Sequence, residues 1–232
     1  MSEFVIFDLD GVLVDTQDAE NGGLAHVGEL MGLSLDKERR DELFSGKKMQ
    51  ECLDLMAEIT GTPPPEGAMA LARARCDELI GPRLEPIEGT AHALERLSAA
   101  GTGMCVASNS PPGIMADRLG KAGVLHHFEG RLFSAYDIGV WKPDPGLFLW
   151  AAAECGAAVA DCVVVEDSPV GVDAGLGAGM RVLQYTADPA TGPHRDGVRT
   201  FASLRELPGL IRSAHHLTAP ARYASAHPGG TA

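Results

Sequence analysis

The chain has 232 residues, with 19 Lys+Arg against 32 Asp+Glu and a formal net charge of −13 at pH 7. Hydrophobic residues make up 45% and charged residues 22%, ordinary globular material long enough to bury a sizeable core without disulfides. The acidic balance argues against nucleic acid and against an anionic membrane surface as partners; an anionic ligand would require a local reversal of field, for which a bound divalent cation is the usual device.

Phe4-Val5-Ile6-Phe7 is a continuous apolar run ending abruptly at Asp8, the pattern of a strand buried on both faces. From about Gln17 to Ile80 the pattern turns helical with charged faces, as in Asp36–Phe44 and Met49–Ile59, and includes the stiff connector Thr62-Pro63-Pro64-Pro65. No buried-strand run interrupts it, so it reads as a small helical domain inserted after the first strand. Beyond Gly81-Pro82, Thr90 is placed to N-cap a helix through Leu94 and Leu97 that stops at Gly101. A second strand run follows at Met104-Cys105-Val106-Ala107. Pro143 is expected to start a helix through Leu147, Phe148, Trp150 and Ala151. Further strand runs lie at Val163-Val164-Val165 and Arg181-Val182-Leu183-Gln184-Tyr185. Gly171, Gly175, Gly177 and Gly179 lack the G-x-G-x-x-G spacing of a dinucleotide loop and read as close helix–sheet packing, with Gly179 closing a helix. Alternating strands and helices predict an α/β fold whose parallel sheet is covered by helices on both faces. The expected organisation is a core of residues 1–16 and 81–212, a helical insert of 17–80, and a poorly ordered tail of 213–232.

Cys52, Cys76, Cys105, Cys155 and Cys162 are odd in number and contain no Cys-x-x-Cys pair, so neither a disulfide framework nor a zinc site is expected. The opening Met1-Ser2-Glu3 runs into Asp8 and Asp10 without the basic-then-apolar pattern of a targeting segment. The most apolar window, 146–165, is interrupted by Glu154 and Asp161 and is not read as a membrane span. A reducing, cytoplasmic location is the expectation.

In parallel sheets of this kind ligands sit beyond the carboxyl ends of the strands. Asp8, Ser108 and Glu166-Asp167 fall just after three predicted strands, so distant segments converge on one edge. In Asp8-Leu9-Asp10-Gly11 two carboxylates leave a strand together, and Gly11 lets the chain turn while its backbone stays close to a ligand. Two carboxylates held a few ångströms apart do not both ionise cheaply without a cation, which leaves either a hard-metal site or one carboxyl held protonated. Glu166-Asp167-Ser168 is a second acidic pair leaving a buried strand, and Asp167 or Ser168 is placed to cap a helix opening at Pro169. Ser108-Asn109-Ser110 offers a hydroxyl and backbone N–H groups near a helix start, a natural phosphate seat. Lys142, in Trp141-Lys142-Pro143-Asp144-Pro145, sits before a restricted Pro-x-Pro and can serve as a fixed point charge.

Taken in chain order, Asp8-Leu9-Asp10-Gly11-Val12, Ser108-Asn109, Lys142-Pro143 and Glu166-Asp167-Ser168-Pro169-x-Gly171 resemble the four motifs of the haloacid dehalogenase superfamily of phosphohydrolases. The resemblance implies a Rossmann-like core, a small helical cap formed by the insert, and Mg²⁺-dependent phosphotransfer through a phosphoaspartate. It implies Asp8 as nucleophile and Asp10 as general acid/base, with Ser108, Asn109 and Lys142 around the phosphoryl group. Mg²⁺ would be held by Asp8, the Asp10 backbone carbonyl and Asp167, with Glu166 close by. Contacts to the rest of a small phosphorylated metabolite would come from the cap, where Gly46, Lys47 and Lys48 are the candidates. Asp10 separates the chain from the carbon–halogen hydrolases, which lack a second aspartate. Glu20 and Met49 stand where the β-phosphoglucomutase branch typically has histidine and arginine, which speaks against a mutase. Leu132–Asp137 leading into Trp141–Pro145, with Tyr185–Pro189 later, looks most like the bacterial 6-phosphogluconate phosphatase group. The resulting expectation is a phosphatase for a phosphorylated sugar or sugar acid, monomeric or weakly dimeric, without nucleic-acid or membrane partners. A phosphosugar mutase and a non-catalytic, receiver-like phosphoacceptor are the alternatives.

Overall fold

The computed structural model describes residues 3–44, 47–128, 130–186 and 195–213. In chain order the elements are β1 (Phe4–Phe7), α1 (Gln17–Leu30), α2 (Lys37–Phe44), α3 (Met49–Thr60), α4 (Ala68–Ile80), α5 (Thr90–Ala99), β2 (Gly103–Ser108), α6 (Pro112–Lys121), β3 (Leu132–Ser134), α7 (Ala135–Ile138), α8 (Gly146–Glu154), β4 (Cys162–Glu166), α9 (Pro169–Gly177), β5 (Arg181–Tyr185), β6 (Arg199–Phe201) and α10 (Leu207–Ser213). They form two compact units, one of Met1–Val14 with Glu85–Ala232 and one of Asp15–Leu84. Gly46 and nearly all of the segment expected to be a tail lie outside the described residues.

The first unit carries a six-stranded sheet in the order β3-β2-β1-β4-β5-β6, and every neighbouring pair is parallel. This is the doubly wound, Rossmann-like arrangement, whose strand order reverses between β1 and β4. Residues of β1 alternate between faces: Phe4 and Ile6 join Cys105, Phe133, Leu147, Phe148, Val164, Val172 and Val182 in one buried cluster with α8 and α9. Val5 and Phe7 are buried towards the other face, where the Phe128 ring meets Phe7 edge-on at 6.1 Å between centroids. Burial on both faces explains why the central strands read as uninterrupted apolar runs. Gly175 permits the close approach of α9 to the sheet, because a Cβ there would lie 2.8 Å from Val182 Cγ2.

Two short edge strands, β3 and β6, were not among the predicted strands. Each has three residues and only part of each is buried, so neither carries a long apolar signal. Two helix starts also differ from expectation. Gly89, at φ +90°, is the residue that precedes α5, and the Thr90 hydroxyl instead donates to the Leu13 carbonyl at 3.3 Å. Thr90 is already helical and its side chain serves a tertiary contact. α8 begins at Gly146, not at Pro143, because residues 141–144 close a turn in which Asp144 N donates to Trp141 O at 3.0 Å. Asp144 Oδ1 then accepts from Gly146 N at 2.7 Å.

The second unit is helical, α1 to α4, around Leu24, Val27, Met31, Phe44, Cys52, Leu53, Met56, Ala68 and Ala72. α1 and α4 approach closely at Gly23, where a Cβ would fall 2.3 Å from the Ala72 carbonyl oxygen. A polar cluster joins α1 to α2: Asn21 Nδ2 donates to Asp41 Oδ1 at 2.8 Å, and Lys37 pairs with Asp41 and with Asp18. All five cysteines are free thiols. Among the described residues no helix is long and apolar enough to cross a membrane.

Candidate active site

Asp8 leaves β1 with its N–H still on the Val165 carbonyl at 2.9 Å, and Glu166 ends β4 beside it. The two therefore flank the point where strand order reverses, the position at which doubly wound sheets bind ligands. Lys142 reaches into this crevice from the turn before α8. Its Nζ donates to Asp8 Oδ1 at 2.6 Å and to Glu166 Oε1 at 2.7 Å, and it lies 4.8 Å from the Phe148 ring centroid. Its backbone N–H is held by Asn109 Oδ1 at 3.0 Å, which ties the segment after β2 to the one before α8.

Glu166 Oε2 accepts from Asp167 N at 3.0 Å and from Ser168 N and Ser168 Oγ, both at 2.9 Å. With Lys142 on Oε1, all of its bonding is directed at shaping the loop and holding the lysine. Ser168 in turn caps α9, its Oγ accepting from Gly171 N at 3.1 Å. Gly171 must lack a side chain, since a Cβ would sit 1.7 Å from Glu166 Oε1. Gly11, at φ +86°, turns the first acidic loop, and a Cβ there would meet Asp167 Oδ2 at 2.1 Å. Its N–H donates to Val14 O at 2.7 Å.

One ligand atom from each of Asp8, Glu166 and Asp167 lies within 4.8 Å of the others. Burial pushes the Asp8 carboxyl well above its usual range; Lys142 opposes the rise, and Glu166 and Asp167 add to it. Asp167 is pushed up to about 7, first by burial and then by the Glu166 charge. Burial works to lower the Lys142 ammonium, but the attraction of Asp8 and Glu166 and its hydrogen bonds to them outweigh this, and the net shift is upward. A single ammonium does not hold three adjoining carboxylates ionised, and a hard divalent cation with oxygen ligands suits the excess charge.

Asp10, two residues beyond Asp8, has its own cation. Arg118 Nη1 donates to Asp10 Oδ1 at 2.8 Å and to Oδ2 at 3.0 Å, and Ser110 Oγ donates to Oδ2 at 3.1 Å. Ser108 is buried at the end of β2, with its Oγ accepting from Ser110 N at 3.1 Å. The structure thus brings together Asp8, Asp10, Ser108, Asn109, Lys142, Glu166 and Asp167. Lys47 and Lys48 belong to the helical unit, where both are exposed. Lys47 Nζ donates to the Leu43 carbonyl at 2.8 Å, and the Lys48 N–H donates to Glu51 Oε2 at 3.0 Å.

Two residues were not anticipated. Arg118 is one; it shares a helix stripe with buried Met115 and Leu119, and a cation on an apolar stripe is the signal that would have found it. Gln184, within the apolar run of β5, is the other; its Nε2 holds the Asp167 carbonyl at 3.0 Å.

Residues 3–179 match the haloacid dehalogenase-like hydrolase family. The chain belongs to that family. It is 38% identical over 213 residues to 6-phosphogluconate phosphatase of Escherichia coli (strain K12), covering 91% of this chain and 95% of the relative. It is 27% identical to β-phosphoglucomutase of Bacillus subtilis (strain 168), over 76% of this chain and 80% of the relative. A solved haloacid dehalogenase family hydrolase from Deinococcus radiodurans R1, with bound phosphate and sodium, superposes with a TM-score of 0.73 at 30% identity. That match covers 95% of this chain and 99% of the solved one. As a member of this family with phosphatase relatives along nearly its whole length, the chain is a phosphoric monoester hydrolase.

Proposed function

We propose that this hydrolase is a Mg²⁺-dependent phosphatase of a small phosphorylated sugar or sugar acid, 6-phosphogluconate foremost, acting through a phosphoaspartate at Asp8. The observation that carries the reading is a buried carboxylate at the strand-order reversal, gripped by a lysine, beside a second acidic loop, with another aspartate two residues on. The 38% identity to a 6-phosphogluconate phosphatase over most of both chains directs the choice of substrate.

Asp8 and Asp167 would hold Mg²⁺, with the Asp10 backbone carbonyl. Glu166, engaged with Lys142 and its own loop, would stand beside the ion and orient the site. When bound, the cation supplies charge neutralisation for the phosphoryl oxygens. Lys142 holds the Asp8 carboxylate and offers its charge to the transferring group; such positioning and charge stabilisation dominate phosphoryl transfer. Ser108 and Asn109 line the phosphoryl seat.

In the first step an Asp8 oxygen bonds to phosphorus as the ester P–O bond breaks, and the leaving alkoxide takes the Asp10 proton. In the second, the Asp10 carboxylate takes a proton from water, whose oxygen bonds to phosphorus as the acyl P–O bond breaks. Asp8 and inorganic phosphate are released. Recognition of the rest of the substrate is assigned to the helical unit as a cap, with Gly46, Lys47 and Lys48 as candidates, and the enzyme is placed in the cytoplasm.

The test is phosphate release from a panel of sugar phosphates that includes 6-phosphogluconate. Turnover is expected to vanish with EDTA, return with Mg²⁺ and be lost in Asp8→Asn. Isomer formation without net phosphate release would instead make the chain a mutase.

A further inference from the structure

Arg118 lies six residues beyond the first residue of α6, about 9 Å along the helix axis from the sheet's carboxyl edge. Helical side chains project towards the helix N-terminus, so a long residue at this point reaches back to the edge where Asp10 stands. Only 6% of its side chain is exposed, against 25% for Asp10. The guanidinium therefore approaches from inside the fold, while the carboxyl keeps an open side.

Burying a guanidinium costs several kcal/mol, and a buried ion pair gains little over an apolar pair of similar volume. Met115 and Leu119 flank Arg118 on the same stripe, where an apolar residue would pack at less cost. Arg118 directs two buried hydrogen bonds to one carboxylate, two residues from Asp8. Ser110 Oγ adds a third bond to that carboxylate, and the Ser110 carbonyl is itself fixed by Ser134 Oγ at 2.7 Å. Asp10 is thus clamped from α6 and from the loop after β2, independently of the Lys142 bonds that hold Asp8.

We infer that Arg118 is a positioning residue for the proposed reaction: with Ser110 it fixes the Asp10 carboxyl in one orientation, so that the group addresses the leaving oxygen. A carboxyl oxygen has two lone pairs, and a protonated carboxyl retains acceptor capacity beside its O–H. The clamp on the inner side is therefore compatible with proton transfer on the outer one. The inference rests on the reading of Asp10 as general acid/base.

The experiment compares Arg118→Met and Arg118→Lys on 6-phosphogluconate, phenyl phosphate and 4-nitrophenyl phosphate, the last having the least basic leaving group. Misplacing a catalytic group by about 1 Å costs about 100-fold. Arg118→Met is expected to lose about that factor in kcat/KM on the two esters with basic leaving groups, and much less on 4-nitrophenyl phosphate. Arg118→Lys recovers part of the loss. In an Asp10→Asn background Arg118→Met has no further effect, because the group being aimed is gone. An equal loss on all substrates that persists in Asp10→Asn would overturn the inference, as would full activity in Arg118→Met. Should Arg118→Met not fold, Arg118→Lys carries the same comparison. Full activity of Asp10→Asn itself would overturn the acid/base reading; Asp10→Asn impaired beside a wild-type-like Arg118→Met would overturn only the role of Arg118.

Discussion

Lys142 holds two carboxylates with one ammonium, and its side chain is only 3% exposed. Removing one partner of a buried ion pair leaves uncompensated charge and costs about 3–5 kcal/mol. Lys142→Met is accordingly expected to lower unfolding free energy by about that amount in the metal-free protein, as read by urea denaturation, and to abolish turnover. Asp10→Asn is expected to lose about 10²–10⁴ in kcat, the ordinary worth of general acid/base catalysis. At this scale the acidic pairs were legible from their spacing and from the apolar run before each. Arg118 was not, because an arginine in a helix is by default a solvated residue, and its burial is decided by what packs around α6. Gln184 escaped for a related reason: one polar residue in a strand run reveals nothing of the carbonyl it meets.

Among the elements, the two acidic loops are built around missing side chains. A methyl group at Gly171 would displace Glu166, and one at Gly11 would strike Asp167 in a left-handed backbone conformation that alanine disfavours. Gly171→Ala is expected to cost about 1–3 kcal/mol from overpacking and to reduce kcat through the displaced lysine holder. Thermal melting and steady-state kinetics together check this. In the helical unit, Gly23→Ala is expected to destabilise the α1–α4 contact by a similar amount, since the clash is with backbone at Ala72. The four central strands could be read from their apolar runs, because burial on both faces leaves no polar alternation. β3 and β6 could not, being three-residue edges. The starts of α5 and α8 were misplaced because Thr90 and Pro143 resemble N-terminal signals locally, while a left-handed glycine and a turn around Asp144 set the boundaries.

For the whole molecule, a net charge of −13 and a phosphorylated substrate would be reconciled at the crevice, where Lys142 stands against a buried acidic cluster that would also hold the proposed divalent cation. The upward shifts of Asp8 and Asp167 have a consequence for stability. A carboxyl whose folded value is raised binds its proton more tightly folded than unfolded, so the stability it adds is present at low pH and is lost as pH rises. For Asp167 that window runs from the ordinary value of 3.8 to about 7. The EDTA-treated enzyme is therefore expected to melt lower at pH 8 than at pH 5.5, and saturating Mg²⁺ to remove most of that difference; equal melting temperatures without metal would contradict it.

The proposed phosphoryl transfer to the side chain of residue 8 is the step on which the proposed mechanism depends, and it is observable directly. Turnover of 6-phosphogluconate, or of the best substrate in the panel, is quenched with acid, which preserves an acyl phosphate, and the digested enzyme is analysed by mass spectrometry. A phosphoryl group is expected on the peptide from β1, located at Asp8 and missing from Asp8→Asn. Steady turnover with that peptide unmodified throughout, or undiminished turnover by Asp8→Asn, would contradict it.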